Sequence, residues 1–181
     1  MRQMRRPAYL VAPVVLAFAA AAFAQQPEQP ISALKGHDSD APIDVASDRL
    51  EVQDRADRAV FVGNVHVRQA ELTLDTARLS VAYSSQGGVQ IKRLDASGGV
   101  TVRSPSETAT GTFGIYDLDR KLITLVGDVR LRRQGSEING QRLLIDLDSG
   151  RAVIEGGPAG VGQSGGRVTG HFSVPQKSGR R

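Results

Sequence analysis

From Ile43 onward the chain alternates between apolar and polar positions. Ile43 and Val45 share one face, as do Leu50 and Val52. Leu72 and Leu74 alternate with Thr73 and Asp75, and Ala77, Leu79, Val81 and Tyr83 form the longest clean stripe. A period of two predicts strands with one face turned inward and one toward water. Val89, Ile91 and Leu94 continue the pattern, followed by Phe113 to Leu118, Leu122 to Val126, then Leu143, Ile145 and Leu147, and Ala152 to Ile154. Arg167 to Val174 reads as the last strand. Turns are predicted at Asp54 to Asp57, Ser84 to Gly88, Ser104 to Ser106, Asp119-Arg120 and Asp148 to Gly150, with Asn139-Gly140 as a strong hairpin dipeptide. After residue 24 no amphipathic helix is predicted.

One phrase returns: a short apolar strand, a glycine, then another alternating strand. It occurs around Gly63, Gly98, Gly127 and, in worn form, Gly156, at intervals of 35, 29 and 29 residues. A supersecondary unit used about four times predicts a stacked, elongated β architecture with a long surface. Sandwich, barrel and roll all suit many short antiparallel strands, and the repeat favours the elongated roll. Such a roll leaves an apolar inner face for something to fill and an open edge at each end.

The first 24 residues differ from the rest. Arg2, Arg5 and Arg6 precede an apolar stretch from Ala8 to Phe23, and Ala22-Phe23-Ala24 is a small-x-small cleavage signal. Residues 1–24 therefore read as a secretory signal peptide. Residues 25–42 have no period, contain Pro27, Pro30, Gly36 and Pro42, and read as a flexible leader. The β domain is expected over residues 43–176 and a basic tail over 177–181. Beyond residue 24, 20 Lys and Arg face 19 Asp and Glu, so no basic footprint for nucleic acid is evident. With no cysteine the domain must hold together in an oxidising compartment without disulfides.

Candidate chemistry is sparse. His37, His66 and His171 have no metal-like spacing. Asp117 and Asp119, and likewise Asp146 and Asp148, sit two apart on strands, so each pair presents two carboxylates on one side. That arrangement suits a cation or acid/base work, but both pairs close alternating strands, where aspartate also forms turns. The glycine-rich 156–162 lacks the Gly-Lys-Ser/Thr and the helix of a phosphate loop.

Pro42-Ile43-Asp44-Val45-Ala46-Ser47-Asp48, Phe61-Val62-Gly63-Asn64-Val65-His66-Val67, Leu74-Asp75-Thr76-Ala77-Arg78-Leu79, Tyr116-Asp117-Leu118, Leu125-Val126-Gly127-Asp128-Val129 and Ile138-Asn139-Gly140 occur in an ordered series. This series resembles the OstA-like (LptA-type) proteins, periplasmic bridge components of lipopolysaccharide export in Gram-negative bacteria. The resemblance covers about residues 42–176 and implies an all-β fold: an elongated, twisted β-jellyroll of antiparallel strands, open along one side. It implies no enzymatic activity and no cofactor. It implies lipopolysaccharide as the ligand, its acyl chains lying in the apolar groove. The partners implied are inner- and outer-membrane components of similar fold, with head-to-tail self-assembly. By family position the lipid-facing residues are Ile43, Val45, Tyr83, Val102, Tyr116 and Leu118, with Leu79 and Val81 beside them on the stripe.

The incoming edge is expected at Ile43 to Ser47 and the outgoing edge at Arg167 to Val174. Arg68, Arg103 and Arg132 stand near strand ends, placed either for lipid phosphates at the rim or for solubility. Residues 156–166 are richer in glycine than the family pattern. Three alternatives remain: an inner-membrane partner of the same fold that keeps its N-terminal helix, a secreted β-solenoid enzyme acting on polysaccharide, and an adhesive β-repeat with a filled core. The trough reading requires an interior left vacant for a guest.

Overall fold

The computed structural model describes Leu34, residues 37–158 and residues 166–173. The signal-peptide and basic-tail assignments lie outside those residues. Ten strands follow in chain order: β1 Ile43–Ala46, β2 Arg49–Gln53, β3 Arg58–Gln69, β4 Leu72–Ser84, β5 Gln90–Arg103, β6 Glu107–Asp117, β7 Leu122–Arg133, β8 Ser136–Asp146, β9 Arg151–Glu155 and β10 Thr169–His171. Among the described residues a single 3-10 turn, Asp54–Ala56, sits between β2 and β3. All pairs are antiparallel in one sheet, ordered β1-β3-β4-β5-β6-β7-β8-β10, with β2 also on β3 and β9 also on β8. The predicted turns at 54–57, 84–88, 104–106, 119–120 and 148–150 all join consecutive strands.

The central strands are much longer than the usual five or six residues, and each is folded once. Apart from a slip between Ala82 and Tyr83 near the β4–β5 turn, register slips between Val62 and Val65, Thr76 and Arg78, Ser97 and Val100, Thr110 and Phe113, and Val126 and Val129. These slips are cross-strand neighbours, so they form one fold line across the sheet. At Gly63-Asn64 and Gly127-Asp128 two successive residues take positive φ, 82° and 45°, then 82° and 48°. Glycine reaches that region without strain, and Asn and Asp tolerate it better than most residues. At Gly63, Gly98 and Gly127 the recurring phrase is therefore a bend within one strand, as in a β-bulge, whereas Gly156 follows the end of β9.

The fold line divides the sheet into two facing leaves. The first leaf holds β1, the second half of β3, the first half of β4, residues 100–103, 107–110, 129–133 and 136–140, and β10. The second holds β2, residues 58–62, 78–84, 90–97, 113–117, 122–126 and 142–146, and β9. Inward residues of both leaves meet in one buried cluster, including Val65, Val67, Val100, Val102, Val129 and Leu131 from the first and Leu79, Val81, Leu94, Leu125, Leu143 and Ile145 from the second.

Two sequence expectations change. Asn139-Gly140 lies inside β8 and makes no hairpin. Gly140 has no positive φ, and an added Cβ would meet Glu155 O at 2.8 Å, so its role is the close approach of β9 at the fold line. Within the leader, Leu34 and residues 37–42 lie against the roll, with Leu34 3 % and His37 7 % exposed. A single leucine carries no period, which hides such a contact from a pattern reading.

Candidate functional site

The apolar interior between the leaves is the candidate site. Alternation turns every second side chain of each strand into it, so its wall is aliphatic by construction. The eight candidate residues divide by position. Leu79, Val81, Val102 and Tyr116 are buried in the central cluster, while Ile43, Val45 and Leu118 pack against it half-buried. Tyr83 stands apart: it lies at the end of β4 outside the cluster, its hydroxyl 3.4 Å from Asp54 Oδ1.

The expectation of a vacant interior is not met. Ile43, Val67, Leu72, Val102, Tyr116 and Leu125 line a cavity of only about 20 Å³, room for about one water. Without a guest, facing aliphatic walls close on each other because exposed apolar surface is unfavourable in water. The ends remain open. β1, β2, β9 and β10 each pair on one side only among the described strands. Leu50 and Val52 of β2 share the inward face with their partners Phe61 and Ala59 yet are 53 % and 55 % exposed. The apolar wall thus runs out to an uncovered edge. The expected outgoing strand is shorter than read, Thr169–His171, and β9 gives the second leaf its own outgoing edge.

Gln69, Thr76 and Glu107 are buried polar residues on this wall, and pattern reading missed the first of them. Gln69 is 3 % exposed at the inward end of the β3 stripe after Val65 and Val67. Its Nε2 donates to Ser39 O at 2.9 Å and Ala41 O at 3.0 Å. Its Oε1 accepts from the Tyr116 hydroxyl and from His37 Nε2, both at 3.1 Å. Two carbonyl acceptors fix the amide's nitrogen side, so the other side is oxygen and His37 Nε2 must carry the proton. Burial raises the Tyr116 pKa above its ordinary value. The signal was available in principle: an amide on a strictly apolar stripe.

The other candidates take ordinary roles. Asp117 Oδ1 accepts from Arg120 N at 3.0 Å, and Asp146 Oδ1 from Asp148 N and Ser149 N at 3.0 Å each. The Ser149 backbone N–H holds the Asp146 carboxyl below its usual range. These aspartates form turns. Arg68, Arg103 and Arg132 all point outward and pair across strands with Asp44, Asp75 and Glu137.

A bent antiparallel sheet closing on an aliphatic interior, with unpaired edges at both ends among the described strands, is an elongated β-jellyroll. A family model described as "LptA/(LptD N-terminal domain) LPS transport protein" matches residues 44–151, and the chain belongs to that family. An uncharacterised protein of Rhizobium meliloti is 33 % identical over 124 residues, spanning 65 % of this chain and 67 % of the relative. The fold is similar to LptH, the LptA-homologous periplasmic component of the lipopolysaccharide transport device of Pseudomonas aeruginosa. The TM-score is 0.66 at 17 % identity, covering 76 % of this chain and 99 % of LptH.

Proposed function

We propose that this chain is a periplasmic carrier that holds lipopolysaccharide acyl chains between its two leaves and passes them along a bridge of edge-paired β-jellyrolls. The observation that supports this best is the single aliphatic interior shared by both leaves and reaching an exposed apolar edge at Leu50 and Val52. Each acyl CH₂ moved from water into such an interior contributes about 0.8 kcal/mol. A multi-acyl lipid therefore supplies enough to part walls that otherwise close on themselves. Ile43, Val45, Leu79, Val81, Val102, Tyr116 and Leu118 would face the chains, with Tyr83 at the margin. Unpaired main-chain groups on β1, β2, β9 and β10 would take a strand from a neighbour by β-augmentation. The role needs no catalysis and no cofactor.

The discriminating experiment measures lipopolysaccharide binding by the parent, Val81→Glu and Ser80→Glu, each checked for folding by circular dichroism. Val81 points into the trough and Ser80 out of it. The inward charge should weaken binding by at least about tenfold, or 1.4 kcal/mol, and the outward one should leave it alone. Equal binding by all three would remove the trough as the lipid site.

A further inference from the structure

We propose that Leu34 and residues 37–41 form a built-in strap that closes the mouth of the trough and is displaced when an acyl chain enters. This rests on the reading of the interior as an acyl site.

The two leaves are joined at the fold line, so their opposite margins form two lips. Turns 70–71, 104–106 and 134–135 mark the first lip; turns 54–57, 85–89, 118–121 and 147–150 mark the second. Gln69 ends β3 at the first lip, and Tyr116 is the penultimate residue of β6 at the second. Their direct hydrogen bond bridges the two lips. The strap sits on that bridge. Gln69 fills both donors with strap carbonyls, Ser39 O and Ala41 O, and one acceptor position with His37. Leu34 adds an aliphatic side chain to the central cluster, and His37 N donates back to Leu34 O at 3.0 Å. The strap thus offers what an acyl chain would offer, an apolar group in the interior, and fastens it with hydrogen bonds at the mouth.

The fastening is reversible by its chemistry. His37 Nδ1 is buried with no partner, so this residue gains only one of its two possible hydrogen bonds by docking. Among its described residues the strap carries no strand pairing, and Ser39 and Ala41 are only half-buried. Such a contact belongs to the low-stability end of a fold, from which moving elements are drawn.

The test uses the purified protein, a dansyl-labelled undecanoic acid as acyl probe, and amide hydrogen exchange read over His37 to Ala41. Saturation with probe should accelerate exchange in that segment while β4 and β7 stay protected. Leu34→Ser and His37→Ala, which loosen the apolar and polar ends separately, should each bind the probe about tenfold more tightly because a competing occupant is lost. Exchange in the unmodified protein stands even if one variant fails to fold. Probe binding with unchanged exchange and unchanged affinities overturns the strap and leaves the acyl site standing. Weaker binding by both variants also overturns it, since the segment would then be a wall of the site. No binding by any form overturns both.

Discussion

At Gln69 the alternation that builds β3 delivers an amide to an aliphatic wall, and all four of its hydrogen-bonding positions are used. Replacing it with leucine removes those bonds and strands the Ser39 and Ala41 carbonyls and the Tyr116 hydroxyl. Gln69→Leu should lower stability by about 2 kcal/mol, measured as a drop in the urea midpoint at constant slope. On the outer face of the first leaf, Asp75 Oδ1 lies 2.7 Å from His66 Nδ1, and Arg103 pairs with its other oxygen. The His66 hydrogen bond, joined by Arg103, holds the Asp75 carboxyl below its ordinary 3.8. A depressed folded-state pKa gives stability that is complete above the unfolded value and fades as pH falls through the folded one. Thermal melts of Asp75→Asn should therefore lose less stability than the parent below about pH 4 and should start lower at neutral pH. Parallel curves for the two would contradict this assignment.

At the scale of the element, the strands were legible and their bends were not. Strict alternation placed Leu79 and Val81 on the inner face, and both are buried there. A Gly-Asn or Gly-Asp pair, however, accepts the left-handed backbone of a hairpin turn and of a bulge equally well. Local sequence cannot choose between them; the pairing of both halves with the same neighbour does. Asn139-Gly140 shows the converse, a hairpin dipeptide inside a strand, where the absent side chain matters more than backbone freedom. At Gly127 both matter: φ is 82°, and an added Cβ would lie 2.8 Å from Thr112 Oγ1. Gly127→Ala should cost about 1–3 kcal/mol, read from thermal unfolding, whereas Gly87→Ala, in an open turn, should cost less. The edges make their own prediction. The protein should assemble end to end with rising concentration in sedimentation, and Leu50→Asp with Val52→Asp should suppress it. Strict monomers in the parent at high concentration would contradict edge pairing.

At the scale of the molecule, the two leaves share one apolar interior whose facing walls pack against each other. The apolar stripes told where the wall is, but not its state. Whether facing walls touch depends on how far the sheet folds at its bends, and no single strand encodes that angle. The contact of Leu34 with the core was equally hidden, since one leucine among prolines and glycines has no period to reveal it. With a void of only about 20 Å³, a lipid entering as proposed would have to separate the leaves.

The central claim is that lipid lies between the leaves and not on their outer faces. It is tested most directly by photocrosslinking in cells from two adjacent positions of β1: Ile43, which lines the cavity and is half-buried, and Asp44, which points outward. A photoreactive side chain at position 43 should capture lipopolysaccharide, while the same group at position 44 should not. Equal capture at both positions, or capture at 44 alone, would contradict the account.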